Sequence, residues 1–171
     1  MINSKENSFV EIARMHLQDI NPVLDLLSET NLEVWKYNDF SEEILRPHSL
    51  TMIGKMNEKI VGFCLSRLII SVKHNSQSSE NLKTECEIYN IAVKKEYQNQ
   101  GIGNKLLNHL VILTKEYNNQ AIWLEVRSSN RKAIDFYQKN NFKQIYERKN
   151  FYKNPTENAI VMKKDILQGN S

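Results

Sequence analysis

The sequence predicts a mixed α/β fold of the α+β kind: a mostly antiparallel sheet of about seven strands flanked by about four helices. Three observations lead there. Runs of β-branched and apolar residues recur along the 171 residues between turn-forming ones. Two segments carry apolar residues at steps of three and four, the helical period. One strand–helix–strand stretch, from Glu85 to Arg127, has the length of a parallel crossover, so one strand pair in the sheet is parallel.

Phe9 to Leu17 reads as an opening strand. Asn21 followed by Pro22 marks a helix start, because Asn can cap and proline suits the first helical position, which predicts a helix over Pro22–Thr30. Ser41 is the expected cap of a second helix over Ser41–Arg46, with Glu42 and Glu43 at the positive end of its dipole and Pro47 as its stop. Thr51–Met56 and Lys59–Val72 are strands, and the Asn57-Glu58 pair between them has the length of a tight antiparallel hairpin. Lys73–Leu82 is rich in Ser, Asn and Gln without periodicity and is expected to be an exposed connection.

Glu85–Val93 is the next strand. A helix over Gly101–Asn118 follows, with Ile102, Leu106, Leu110, Leu113 and Tyr117 on one face. In the strand Ala121–Arg127, Ile122, Leu124 and Val126 point one way while Trp123, Glu125 and Arg127 point the other. Asn130 is the expected cap of a helix over Arg131–Asn140, in which Ala133, Ile134 and Tyr137 share the inner face. Asn141 can end that helix because Asn tolerates the left-handed conformation. Strands Lys143–Phe151 and Asn158–Lys164, with a turn at Asn154-Pro155, complete the chain.

Hydrophobic residues make up 40% of the sequence and charged residues 25%, an ordinary globular composition that suits a single domain over 1–171. The net charge of +3 is dispersed, with no basic arm or stripe, so nucleic acid is not an expected partner. The longest apolar run, Ile60–Val72, is broken by Gly62, Ser66 and Arg67, so no membrane partner is expected either. The polar segment Met1–Ser8 lacks the apolar core of a signal peptide, which implies a cytoplasmic location. Cys64 and Cys86 read as packed thiols. His16, His48, His74 and His109 are scattered, and no metal site is expected.

The chemistry-bearing motif is Gln98-Asn99-Gln100-Gly101-Ile102-Gly103, which joins a strand to a helix N-terminus and uses two of the chain's five glycines. Amides at a helix start have no internal partner and carry the positive end of the dipole, so such a turn suits a phosphate or pyrophosphate. No Gly-Lys-Ser/Thr follows, as a P-loop requires. A third glycine with an acidic residue about 20 positions on, the dinucleotide signature, is absent too.

Gln98-x-x-Gly101-x-Gly103 after Ile91-Ala92-Val93 resembles the acetyl-CoA pyrophosphate loop of the GCN5-related N-acetyltransferase (GNAT) superfamily. Asn90–Val93, Tyr97-Gln98, Leu124–Arg127, Ser129-Asn130, Ala133-Ile134 with Tyr137, and Ala159–Met162 resemble its RimI family, bacterial acetyltransferases of a ribosomal-protein N-terminal alanine. The match lies almost entirely within Glu85–Lys164; in the N-terminal half, Trp35 followed by Phe40 is similar to the substrate-side segment. The resemblance implies a GNAT sheet whose parallel pair splays, with an acceptor-side half at about 1–84 and an acetyl-CoA-binding, catalytic half at about 85–165. It implies acetyl-CoA as co-substrate and a ribosomal protein N-terminus as acceptor. The backbone of Ile91, Ala92 and Val93 would pair with the pantetheine arm. The amides of Gln98, Asn99, Gln100, Gly101, Ile102 and Gly103 would hold the pyrophosphate, and Asn130 would bond to the cofactor.

By the same resemblance Glu125 is the general base and Tyr137 the general acid. Without it, Glu125 reads as a strand glutamate paired with Arg127 or solvent, and Tyr137 as an aromatic core residue. Four positions depart from the family pattern. Asn99 and Gln100 stand where basic residues are frequent, with Lys94, Lys95 and Lys105 as the nearby cations; Asn141 replaces a glycine; Phe151 stands where an aromatic hydroxyl is common. A small amine or antibiotic as acceptor, and a non-catalytic acyl-CoA sensor, stay open as alternatives.

Overall fold

Alternating apolar residues form strands β1 (Glu11–Arg14), β2 (Met52–Met56), β3 (Lys59–Lys73), β4 (Asn81–Val93), β5 (Ala121–Arg127), β6 (Lys143–Lys153) and β7 (Thr156–Asp165). The 3.6-residue period forms helices α1 (Ile20–Ser28), α2 (Tyr37–Leu45), α3 (Ile102–Glu116) and α4 (Arg131–Lys139). The computed structural model describes residues 9–30, 35–73 and 81–166. Its sheet runs in the order β1-β2-β3-β4-β5-β7-β6. β4 and β5 are parallel, while β1/β2, β2/β3, β5/β7 and β6/β7 are antiparallel, so the mixed sheet with one parallel pair is as the sequence predicts.

Two compact units can be distinguished, Met1–Leu65 with Asn90–His109 and Ser66–Tyr89 with Leu110–Ser171. In the first, Ile20, Val23 and Leu26 of α1 and Phe40 of α2 are fully buried. The Phe40 ring meets the edge of Phe63 at 5.9 Å and lies 5.4 Å from Trp35. Gly62 makes a close passage possible here, since a Cβ on it would stand 3.0 Å from the Ala92 carbonyl oxygen and 3.2 Å from Leu106 Cδ1.

The starts of α1 and α2 differ from expectation. Asp19 accepts from the His16 N–H at 2.9 Å and opens a short 3-10 turn that runs into α1, so the first strand stops at Arg14 and Asn21 is not the cap. Pro22 falls within the first turn of α1, where its missing N–H costs nothing. Asp39 accepts from the Lys36 N–H at 2.7 Å and starts α2 a turn before Ser41. Ser41 is inside the helix, its hydroxyl donating to the Asn38 carbonyl at 2.9 Å.

In the second unit the parallel ladder pairs Cys86 with Ile122, Glu87 with Trp123 and Ile88 with Leu124, and both strands continue past it. Ile122, Leu124 and Val126 are buried and Trp123, Glu125 and Arg127 half-buried, the expected alternation. Most of the Lys73–Leu82 connection lies outside the described residues, and β4 has already begun at Asn81. β6 and β7 extend further than expected and meet at the Asn154-Pro155 turn, with register shifts at Gln144/Tyr146 and Arg148/Tyr152. Tyr117 does not join the buried stripe of α3: the helix has ended, and the ring is exposed. Cys64 and Cys86 are buried, and neither forms a disulfide. Among the described residues no helix is long and apolar enough to cross a membrane, and no three His, Cys, Asp or Glu side chains gather as metal ligands.

Candidate active site

Glu125 is the first residue of β5 beyond the parallel ladder. Its side chain enters a cavity of about 350 Å³ in the second unit, which Glu85, Glu87, Trp123, Tyr146 and Arg148 also line. Strand alternation brings these groups to one face: Glu85 and Glu87 are two apart on β4, Trp123 and Glu125 two apart on β5, and Glu87 is level with Trp123. Glu125 Oε1 accepts a hydrogen bond from Arg148 Nη1, so the carboxylate is held as an ion pair by β6. The Arg148 guanidinium lies 4.2 Å from the Phe151 ring centroid, which fixes its plane. Glu85 Oε1 accepts from Trp123 Nε1 at 3.0 Å.

Burial pushes the Glu87 carboxyl above the usual glutamate range. The Tyr89 hydroxyl, donating to it, works the other way; the neighbouring Glu125 charge raises it further, and Arg67 and Arg148 oppose that rise. Of the cavity's carboxylates, Glu125 is thus tied to a guanidinium and Glu87 is held partly out of water.

Tyr137 is 6% exposed on the inner face of α4, as its helical spacing predicts, with the rings of Phe136 and Phe142 at 5.2 and 5.3 Å. Asn141 adopts a φ of 65° and closes the helix; its N–H donates to Gln138 and the Phe142 N–H to Tyr137, both at 3.0 Å. Asn130 caps α4, its Oδ1 accepting from the Ala133 N–H at 3.1 Å. That leaves the Nδ2 side of the amide for any cofactor bond.

A clamp precedes that cap. Glu157 Oε1 of β7 accepts from the Ser129 N–H at 2.5 Å and the Ser128 hydroxyl at 3.2 Å, while Oε2 is 3.3 Å from Arg127 Nη1. Arg127 also donates to the carbonyls of Asn154 and Pro155 and stacks 4.1 Å over the Tyr152 ring. The Ser129 bonds chiefly hold the Glu157 carboxyl below its usual range, with Arg127 and Ser128 adding to them.

In the first unit the Gln98–Gly103 turn is bent through Asn99 at φ 61° and Gly101 at φ 82°. The Gly101 carbonyl accepts from the Lys105 N–H at 3.0 Å, so α3 starts there and its first amides have no intrahelical acceptor, whereas the Gln98 N–H is already spent on the Lys95 carbonyl at 3.3 Å. A Cβ on Gly101 would meet nothing within 4 Å, which leaves this backbone open to a ligand, as a phosphate cradle requires. The Gln98 and Gln100 side chains brace the turn from within, Gln98 Nε2 on the Val93 carbonyl at 2.9 Å and Gln100 Nε2 on the Glu96 carbonyl at 3.1 Å. Val93 therefore spends its carbonyl internally. Ala92 is buried between half-buried Ile91 and Val93.

Without the resemblance the sequence pairs Glu125 with Arg127 or solvent; its partner is Arg148, and Arg127 serves Glu157. Glu87, Arg148 and Glu157 were missed. For Glu87 a signal existed, because the predicted parallel pair and the period of two put it on the face of Glu125. Arg148 and Glu157 come from the β6–β7 hairpin, whose register shifts no local pattern encodes.

The model of the acetyltransferase (GNAT) family matches residues 20–142. The chain is 30% identical over 158 residues to the [ribosomal protein bS18]-alanine N-acetyltransferase of Haemophilus influenzae, covering 88% of this chain and 95% of that one. It is 32% identical over 157 residues to N-alpha-acetyltransferase 50 of Danio rerio, with 88% of each chain covered. The crystal structure of the ribosomal-protein-S18-alanine N-acetyltransferase from Escherichia coli superposes with a TM-score of 0.79 at 25% identity, covering 95% of this chain and 97% of the other.

Proposed function

The chain belongs to the acetyltransferase (GNAT) family, and from that membership we propose that it transfers the acetyl group of acetyl-CoA to the α-amine of the N-terminal alanine of ribosomal protein bS18. The observation that carries an amine acceptor is the cavity holding Glu125, Glu87 and Glu85. An α-amine, with a pKa of about 7.7–8.0, arrives mostly as a cation at neutral pH, and carboxylates both attract it and relieve it of a proton. The alanine N-terminus is the acceptor named for the relatives that match nearly their whole length. That reading carries a cytoplasmic location with it.

Acetyl-CoA, when bound, supplies a thioester carbonyl as the electrophile. In this reading the backbone of Ile91, Ala92 and Val93 lies along its pantetheine arm. The amides of Asn99, Gln100, Gly101, Ile102 and Gly103 hold its pyrophosphate, Gln98 serving the turn through its bonds to the Lys95 and Val93 carbonyls, and Asn130 binds through its Nδ2 side. Glu125 takes a proton from the acceptor nitrogen. Arg148 orients that carboxylate and must yield some of its hold as the proton arrives. Tyr137 gives a proton to the departing sulfur; a phenol near ~10 donating toward a thiolate near ~8.5 works against a modest gradient that positioning in a dry site overcomes.

The test is direct acetylation. Purified protein is incubated with acetyl-CoA and a peptide copying the bS18 N-terminus, and the product is located by mass spectrometry. A gain of about 42 Da on the α-amine, absent from a peptide with a blocked N-terminus and lost with Glu125→Gln, is the expected result. No transfer, with acetyl-CoA still bound, would replace this acceptor with a small amine drawn from a library screen.

A further inference from the structure

A carboxylate that can take a proton from an amine can also take one from water. In the acetylation reading Glu125 acts beside a thioester, so an unguarded base there would hydrolyse acetyl-CoA whenever no amine is at hand. Glu125 Oε1 accepts from Arg148 Nη1, and Arg148 is the one cation among the described residues that line the cavity. While that bond lasts, the oxygen is engaged by a guanidinium and is not open to a proton from water.

We propose that Arg148 is a specificity-determining residue of this reaction: its guanidinium keeps Glu125 engaged until a cationic acceptor displaces it, so the base is released to an ammonium and withheld from water. This rests on the amine-acetylation reading above.

Three features of Arg148 fit an exchangeable cation. Its side chain is 49% exposed against 22% for Glu125, so the guanidinium reaches the carboxylate from the solvent side and has water to return to. The Phe151 ring, 4.2 Å away, holds it from a second direction, so losing the carboxylate does not leave the charge without a contact. The β6–β7 register shifts between Arg148 and Tyr152, and a strand that leaves its regular ladder in this way re-aims the side chains at the irregularity.

The exchange selects by charge. An α-ammonium is a cationic N–H donor and can take over a charge-assisted bond, whereas water and hydroxyl groups are neutral and replace it poorly. One cation succeeds another, so the balance of charge among Glu85, Glu87 and Glu125 is kept.

The reaction held back is plain hydrolysis, and its balance closes with water as the only co-reactant. Glu125 would take a proton from water, and the water oxygen would bond to the acetyl carbon. The C–S bond would break with its electron pair leaving on sulfur, which would receive the Tyr137 proton. Glu125 would then return its proton to Tyr137. The products are acetic acid and the free thiol.

The first test contains no amine. Protein and acetyl-CoA are incubated alone, and thiol release is followed with a chromogenic disulfide. Arg148→Gln is expected to hydrolyse acetyl-CoA about 10-fold faster than wild type, and Arg148→Lys, which keeps a cation, to stay within about 3-fold of it. Adding Glu125→Gln to Arg148→Gln should abolish the gain, which ties it to this carboxylate. Acetyl-CoA affinity and the circular-dichroism melt report the folding of each variant.

The second test contains no turnover. With CoA present, calorimetry should show the bS18 N-terminal peptide binding Arg148→Gln about 10-fold more tightly than wild type, because no resident cation has to be expelled. A peptide with a blocked N-terminus, which carries no charge there, should bind both proteins alike. In wild type the NMR signal of the Arg148 Nε–H should shift with the free-amine peptide and stay in place with the blocked one. Hydrolysis by folded Arg148→Gln no faster than wild type, weaker binding of the peptide to it, or an Arg148 signal unmoved by the free amine would each overturn the assignment. A wild-type protein that binds acetyl-CoA and acetylates no amine would instead overturn the acetylation reading, and this one with it.

Discussion

Tyr137 is held by packing on both sides, and its proposed role lies in the phenolic oxygen. Phe136 and Phe142 grip the ring at 5.2 and 5.3 Å. Replacing it with Phe keeps that volume and removes only the oxygen. Tyr137→Phe is therefore expected to change unfolding free energy by no more than about 1 kcal/mol, while kcat falls about 100-fold with acetyl-CoA binding kept. Chemical denaturation and steady-state rates separate the two effects, and a rate equal to wild type would remove Tyr137 from the acid role. Which side chains could be read from sequence follows from where their partners come from. Glu125 and Tyr137 announce themselves through strand and helix periods within short segments. Arg148 pairs with Glu125 across 23 residues, through a hairpin whose register is shifted twice, and nothing in either segment encodes the meeting.

Among the elements, β3 depends on one missing side chain. A Cβ at Gly62 would press on the Ala92 carbonyl oxygen at 3.0 Å, on Leu106 at 3.2 Å and on Val93 at 3.3 Å. A backbone oxygen cannot swing aside as the end of a side chain can. Gly62→Val should destabilise the protein by about 1–3 kcal/mol, read as a lower urea midpoint. Because Ala92 and Val93 belong to the segment proposed to lie along the pantetheine arm, the same variant should also weaken acetyl-CoA binding, seen by calorimetry. Strand and helix identities were legible throughout, and so was the Asn130 cap of α4, but the starts of α1 and α2 were not. Asp19 and Asp39 each reach back three residues to a backbone N–H and begin the helix earlier than Asn21 or Ser41 would have. Asx and serine caps compete for the same amides, and which one wins depends on how the preceding chain enters, which local composition does not fix.

For the molecule as a whole, the carboxylates oppose one another in pH. Glu157 and Asp165 are held below their ordinary range, by the Ser129 bonds and by Lys163 respectively. Their contribution to stability is present above the unfolded carboxylate range and is lost as pH falls through their folded values. Glu87 has the opposite sign: its contribution is present below the unfolded glutamate value and is lost as pH rises through its raised folded value. Calorimetric Tm should therefore decline on both sides of a maximum. Glu157→Gln should flatten the acid limb, and Glu87→Gln should flatten the other and raise Tm at neutral pH. A Glu87→Gln protein that melts lower than wild type at neutral pH would contradict that sign. The mixed sheet with one parallel pair was legible because a crossover long enough for a helix separates Glu85–Val93 from Ala121–Arg127. The exact ends of the parallel ladder were not, since they depend on pairing between distant strands.

The Glu157 clamp makes a rivet of one carboxylate. Its oxygens hold the Ser128-Ser129 turn immediately before the α4 cap, and through Arg127 they hold the tip of the β6–β7 hairpin. The hairpin that supplies Arg148 to Glu125 cannot lift away without first freeing the turn that carries Asn130. Any motion that loosens the ion pair from this side is thereby coupled to the start of the helix that holds Tyr137. The proposed base and acid share a single mechanical fastening, placed where neither of them stands.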